Sequence, residues 1–244
     1  WQPEAIDQGL GLPAPTTTQL MAMQLIAMHG WAGDSRSWAP LQQACQARGW
    51  DLQCGERGYG GMPPVVPSWR PSRGMKVVVA HSFGPHLLPA AVLEEADAVV
   101  LLASFGRFIP EGRQSRAVRT ALAAMAEQLQ GDGANAMLRA FLAKAAAPAD
   151  PALLPEGPGH ADLTPQGRTR LSSDLAELGR TSGLPQGFPT GARVLLVEAG
   201  ADQIVASESS QALAASLPQA DRVVLQGAGH CLLGTAALPM VLAW

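Results

Sequence analysis

The stretch from residue 77 to residue 85 constrains the chain most. Val77-Val78-Val79 places three β-branched residues in succession, the mark of a buried strand. Ala80-His81-Ser82-Phe83-Gly84 then turns into an apolar run over residues 86–93 that suits a helix. A serine held between a strand and a helix requires a sharp turn, and Ser82 must adopt a strained backbone conformation to make it. The small residues two before and two after it, Ala80 and Gly84, let neighbouring backbone pass. Pro85 falls in the first helical turn, where its missing N–H costs little. An ordinary strand-to-helix turn with a capping serine has the same local pattern, so the surrounding chain must decide.

The flanks supply the decision. A strand is expected over Met23–Met28, followed by a helix over 38–48 with Ser35 or Ser37 as its cap and Gly49 as its stop. A short strand over 50–54, a Gly- and Pro-rich connection over 55–74, the serine strand with its helix, and a buried strand over 98–103 follow. Strand, helix, strand, helix, strand is the order of a parallel, doubly wound sheet. From 107 to 183 the pattern is helical only, over 117–129, Ala134–Ala146 and Pro165–Leu178, with a Pro-rich linker over 148–158. Strands return at 193–197 and 222–225, with a helix over 207–217 between them and a last helix over 235–244. The fold expected is therefore α/β, specifically an α/β-hydrolase fold: core segments 21–106 and 184–244, an inserted helical cap over 107–183, and a Pro- and Thr-rich flexible leader over 1–20.

A serine is a poor nucleophile unless a base takes its proton and an acid orients that base. On this fold the acid and then the histidine follow the serine, each in a loop after a strand. Asp202 follows the strand at 193–197, and His230 follows the strand at 222–225. Seen alone, Asp202 is equally a turn aspartate and His230 a structural histidine; in this order and after these strands, Ser82, Asp202 and His230 read as a catalytic triad. Glu198 is the reserve acid. Backbone N–H groups of Phe83 and of Trp31, in the His29-Gly30-Trp31 loop after the first strand, are the expected oxyanion donors. His81, His86 and His160 need no role, His81 being expected to point away as a packing or solvated residue. Cys231 reads as a small buried hydrophobe.

His29-Gly30-Trp31-Ala32-Gly33-Asp34-Ser35-Arg36-Ser37-Trp38, Ala80-His81-Ser82-Phe83-Gly84 and Leu102-Ala103-Ser104-Phe105-Gly106-Arg107-Phe108 resemble the pimeloyl-[acyl-carrier protein] methyl ester esterases of biotin synthesis, most closely their short cyanobacterial-type branch. Phe141-Leu142-Ala143 and Leu171-Ser172-Ser173-Asp174-Leu175 resemble the family's cap helices. The departures are Ala80 for the first glycine of the elbow and Pro85-His86 where a second glycine is frequent. The resemblance implies a serine carboxylesterase that frees the distal carboxylate of a pimeloyl chain carried on acyl carrier protein, with no metal or cofactor. Phe108, Phe141 and Leu142 are then expected, from their apolar character, to line a tunnel for the methylene chain.

Charge bears on the partner separately. The 244 residues carry a net charge of −3, against a general nucleic-acid binder. Yet Arg107, Arg113, Arg116 and Arg119 cluster against a single acid, Glu111. Arg113, Arg116 and Arg119 share one side of a helix, and arginine forks suit the carboxylates and phosphopantetheine of an acidic carrier protein; a solvated helix face is the plain alternative. The 3 cysteines, scattered and without paired spacing, indicate neither a disulfide framework nor a zinc site. With no signal-peptide pattern and no apolar run of membrane-spanning length, the cytoplasm is the expected compartment. A general small-ester hydrolase, lactonase or thioesterase, a non-catalytic ligand receptor on the same fold, and a basic adaptor for acidic proteins remain the rival readings.

Overall fold

The computed structural model describes residues 23–71, 74–159 and 163–244; the leader expected over 1–20 and His160 lie outside them. Six parallel strands form one sheet: β1 (Met23–Met28), β2 (Asp51–Gly55), β3 (Met75–His81), β4 (Ala98–Leu102), β5 (Arg193–Ala199) and β6 (Asp221–Leu225), in the order β2-β1-β3-β4-β5-β6. Register aligns their carboxyl ends, with Met28 opposite Ala80, and Leu102 opposite both His81 and Val197. The loops that follow therefore gather along one edge.

Alternation along each strand divides the core into two layers. Leu25, Ala27, Val77, Val79, Val100 and Leu195 face α1 (Ala39–Arg48) and α8 (Ala237–Ala243). Ile26, Val78, Val99 and Leu196 face α2 (Gly84–Leu87), α3 (Ala90–Glu94) and α7 (Ser207–Ser216). The helix expected over 86–93 is thus two short ones. Pro89 has no N–H to continue the first, and Leu88 before it is extended, at φ −81° and ψ 146°. Neither Ser35 nor Ser37 caps α1. Asp34 accepts the Arg36 N–H at 2.9 Å and starts a 3-10 turn, Ser35–Trp38, that leads into the helix.

Between β4 and β5 lie α4 (Gln114–Gln130), α5 (Ala134–Ala146) and α6 (Pro165–Leu178). Their apolar faces, including Leu129, Leu138, Leu171 and Leu175, close over Trp31, Tyr59, Phe83 and Phe105 to make a third layer above the sheet edge. No helix among the described residues is long and apolar enough to cross a membrane.

Two buried carboxylates fasten this layer and the loops below it. Asp174 on α6 accepts Arg57 Nε at 2.8 Å, Arg57 Nη2 at 2.6 Å and the Tyr59 hydroxyl at 2.6 Å. Glu56 accepts the Ser35 N–H at 2.8 Å and the Gly58 N–H at 2.6 Å, and His29 Nε2 lies 3.5 Å from it. Burial pushes the Glu56 carboxyl up, but the hydrogen bond and charge of His29 and the two backbone N–H groups outweigh it and hold the group down at about 2.

Replacing Asp174 by Ala leaves the Arg57 fork and the buried Tyr59 hydroxyl without their acceptor. The expected loss is about 3 kcal/mol of stability, read from the urea midpoint at unchanged slope. Glu56 supplies a pH-dependent share. Its depressed folded pKa stabilises the protein above the ordinary glutamate range, and that contribution is lost as the pH falls from about 4.5 toward about 2. Its size is on the order of 3 kcal/mol. Unfolding curves recorded across this window should slope for the native chain and flatten in Glu56→Gln.

Candidate active site

β3 runs into the turn at Ser82, whose φ of 56° lies in the left-handed region that non-glycine residues avoid. Surrounding bonds hold it there: the Ser82 N–H donates to the Leu102 carbonyl at 2.8 Å, and the Ser104 hydroxyl donates to the Ser82 carbonyl at 2.7 Å. At Gly84 a Cβ would stand 2.4 Å from the Met28 carbonyl oxygen, so the elbow glycine is a steric requirement of the crossing between β1 and the turn. Ala80, fully buried, fits beneath it.

The loops after β5 and β6 bring the other two residues to the serine. His230 Nε2 lies 2.9 Å from Ser82 Oγ, and His230 Nδ1 lies 2.8 Å from Asp202 Oδ2. The second oxygen of Asp202 accepts the Ile204 and Val205 N–H groups at 2.7 and 3.0 Å, which fixes the carboxylate plane. Burial raises the Asp202 pKa, but the hydrogen bond to His230, the His230 charge and these N–H donors outweigh it, so the carboxylate stays ionised. Glu198, the reserve acid, instead takes Arg222 Nη2 at 2.9 Å.

The histidine loop is held from two sides. The Cys231 N–H donates to the Ala145 carbonyl at the end of α5, at 3.1 Å. His81 Nε2 lies 2.9 Å from the His230 carbonyl oxygen, with the two rings 4.9 Å apart. His81 is therefore a direct neighbour of His230, contrary to the expectation that it points away. Burial first, and the neighbouring His230 second, push its pKa down to about 4, so it stays neutral beside that ring. Strand alternation could not reveal this, because the contact comes from a loop 149 residues away. Cys231 is partly buried, and burial together with the Asp202 charge pushes its thiol up to about 12, so it carries no thiolate. His86 packs against both Phe83 and Phe105, with ring centroids at 5.5 and 5.7 Å.

Trp31 and Phe83 are both buried, and their backbone N–H groups donate no hydrogen bond among the described residues. The Trp31 indole N–H donates to the Leu171 carbonyl of α6 at 2.9 Å, and the Phe141 ring stands edge-on to it at 5.0 Å. Gly30, one residue earlier, packs directly on the serine.

A cavity of about 270 Å³ opens beside His230, Gly30 and Trp31. Phe141 and Leu142 line it, but Phe108 does not. Its ring packs edge-on against Phe105 at 5.0 Å and its carbonyl accepts the Ser209 hydroxyl at 3.1 Å, so it belongs to the core between cap and sheet. An apolar residue has the same sequence signature in either place. Arg113, Arg116 and Arg119 are exposed around the start of α4, and none lines the cavity. Arg119 Nε donates to Ser115 Oγ at 3.3 Å, and Arg107 is paired with Glu111. Among the described residues no cluster of His, Cys, Asp or Glu is placed to hold a metal ion.

No protein-family model matches the chain, and no curated protein matches it in sequence. Solved structures do match its shape. An esterase from Exiguobacterium antarcticum superposes with a TM-score of 0.69 at 14% identity, over 91% of each chain. A bromoperoxidase from Bacillus anthracis gives 0.65 at 16% identity, over 90% of this chain and 88% of its own. An enol-lactonase from Burkholderia xenovorans gives 0.62 at 16% identity, over 91% and 88%. With its six parallel strands and flanking helices, the chain has the α/β-hydrolase fold.

Proposed function

We propose that this protein is a serine carboxylic ester hydrolase with Ser82, His230 and Asp202 as its catalytic triad. The observation that carries the reading is the continuous hydrogen-bonded chain from Ser82 Oγ through His230 to Asp202, at 2.9 and 2.8 Å, with the serine on a left-handed turn. Ser82 Oγ attacks the ester carbonyl while His230 Nε2 takes its proton, and Asp202 orients and stabilises the imidazolium. The carbonyl oxygen becomes an oxyanion, and the N–H groups of Trp31 and Phe83, which donate no hydrogen bond among the described residues, are its donors. His230 then gives its proton to the departing alcohol. Water, activated by the same histidine, attacks the acyl-serine and releases the acid. The esterases and the lactonase among the structural neighbours agree with this reaction class.

The finer reading is the methyl ester of pimeloyl-[acyl-carrier protein], cleaved in the cytoplasm. It is supported by the sequence resemblance around His29-Gly30-Trp31 and Ser82, by the apolar cavity that Phe141 and Leu142 line, and by the exposed Arg113, Arg116 and Arg119 as a docking face for an acidic carrier. A general small-ester or lactone hydrolase is the second reading. It is favoured by the position of these arginines off the cavity wall, where Asp34 and Glu156 stand instead.

Hydrolysis of p-nitrophenyl acetate tests the reaction class. Ser82→Ala should lower turnover at least about a thousandfold, and Asp202→Asn about ten-thousandfold, with thermal melts unchanged. Hydrolysis of pimeloyl-[acyl-carrier protein] methyl ester beside free pimeloyl methyl ester tests the substrate. A preference for the carrier-bound ester that disappears when Arg113, Arg116 and Arg119 are all alanine establishes the carrier. Equal rates and no arginine effect leave the general hydrolase.

A further inference from the structure

The cavity beside His230 does not stay between cap and sheet. It continues past the histidine loop into the apolar layer on the α1 and α8 face, where Trp38, Leu41, Leu102, Leu238 and Val241 form its walls. Layers of this kind are otherwise close-packed, and an unfilled void of this size is destabilising. The space is roughly twice that of a cavity known to take one benzene ring. Its lining reaches from Phe141 on α5 to Val241 on α8. Its inner walls carry no charged side chain. The acidic residues that line it, Asp34 and Glu156, both meet Arg36, at 2.6 and 3.4 Å. Its lining also takes in Gly30 and Trp31 of the loop after β1 and His230, whose Nε2 lies 2.9 Å from Ser82 Oγ; Ser82 itself does not line it.

We infer that this arm seats an unbranched alkyl chain of the ester substrate, and that Leu238 and Val241 on α8 set the chain length accepted. The inference rests on the esterase reading of Ser82. It assigns substrate selection to the C-terminal helix as well as to the cap. A chain in the arm replaces the void by contact with aliphatic walls, and each added methylene contributes to binding until the arm is full.

Two ester series decide it and show which side of the ester enters. One lengthens the acyl chain, from p-nitrophenyl acetate to hexanoate and octanoate; the other lengthens the alcohol, from ethyl to hexyl acetate. In the wild-type enzyme kcat/KM is expected to rise at least tenfold along one series, and that series identifies the seated chain. Leu238→Trp, and independently Val241→Phe, should reduce the long-to-short ratio of kcat/KM at least tenfold, while Leu238→Ala extends the longest chain accepted. Near-UV circular dichroism identifies variants that keep the native packing. Flat wild-type profiles in both series, or a ratio that correctly folded filling variants do not move, would overturn the inference. Absence of Ser82-dependent turnover on every ester overturns the esterase reading instead.

Discussion

Strand β1 ends with its Met28 carbonyl pressed against the backbone at Gly84, at a separation that admits no side chain. The rest of the site depends on that crossing. Beside it Gly30, in the loop after β1, packs directly on Ser82, whose turn stays at a φ of 56°. The backbone N–H groups of Trp31 and Phe83 donate no hydrogen bond among the described residues. The strain at Ser82 is retained because hydrogen bonds from its N–H and to its carbonyl hold the turn to β4 and the loop that follows it.

A parallel sheet does the remaining positioning. Because every strand points the same way, Ser82, Asp202 and His230 emerge at a common edge although they lie far apart in the chain. That is why the site was legible in the sequence: each residue follows a run of β-branched or aliphatic residues, and the order of the three is a property of strand order. The cap helices were legible for a similar reason, since α5 and α6 are long enough for their apolar spacing to stand out, and Pro165 and Gly179 bracket α6.

What escaped the sequence lies partly in the effect of single residues on their own neighbourhood and partly in contacts between segments distant along the chain. Pro89 breaks the helix after the serine because the geometric effect of one proline outweighs an otherwise continuous apolar run. Asp34 rather than either serine organises the start of α1, since its carboxylate is also anchored by Arg36. Phe108 and Phe141 are indistinguishable as letters, yet one fills the interface under the cap and the other faces open space. His81 gains its partner from the loop after β6, and Asp174, which looks like any polar residue on an amphipathic helix, is the buried acceptor for Arg57 and Tyr59. Periodicity reports which way a side chain points relative to its own element, and none of these outcomes is decided there.

The bond from the Cys231 N–H to the Ala145 carbonyl joins the last turn of α5 to the residue after the histidine, and at Gly229 the same stretch of cap backbone comes so close that a Cβ would stand 1.9 Å from the Ala147 carbonyl oxygen. The cap is therefore not an exchangeable module resting on a finished catalytic core. A graft that kept every cap side chain but shifted the end of α5 by a fraction of a turn would withdraw one support of the histidine loop, and with it the alignment of His230 on Ser82. Recombining caps and cores within this fold thus has a seam defined by backbone, running from residue 145 to residue 147 and from 229 to 231, that must be inherited as a pair.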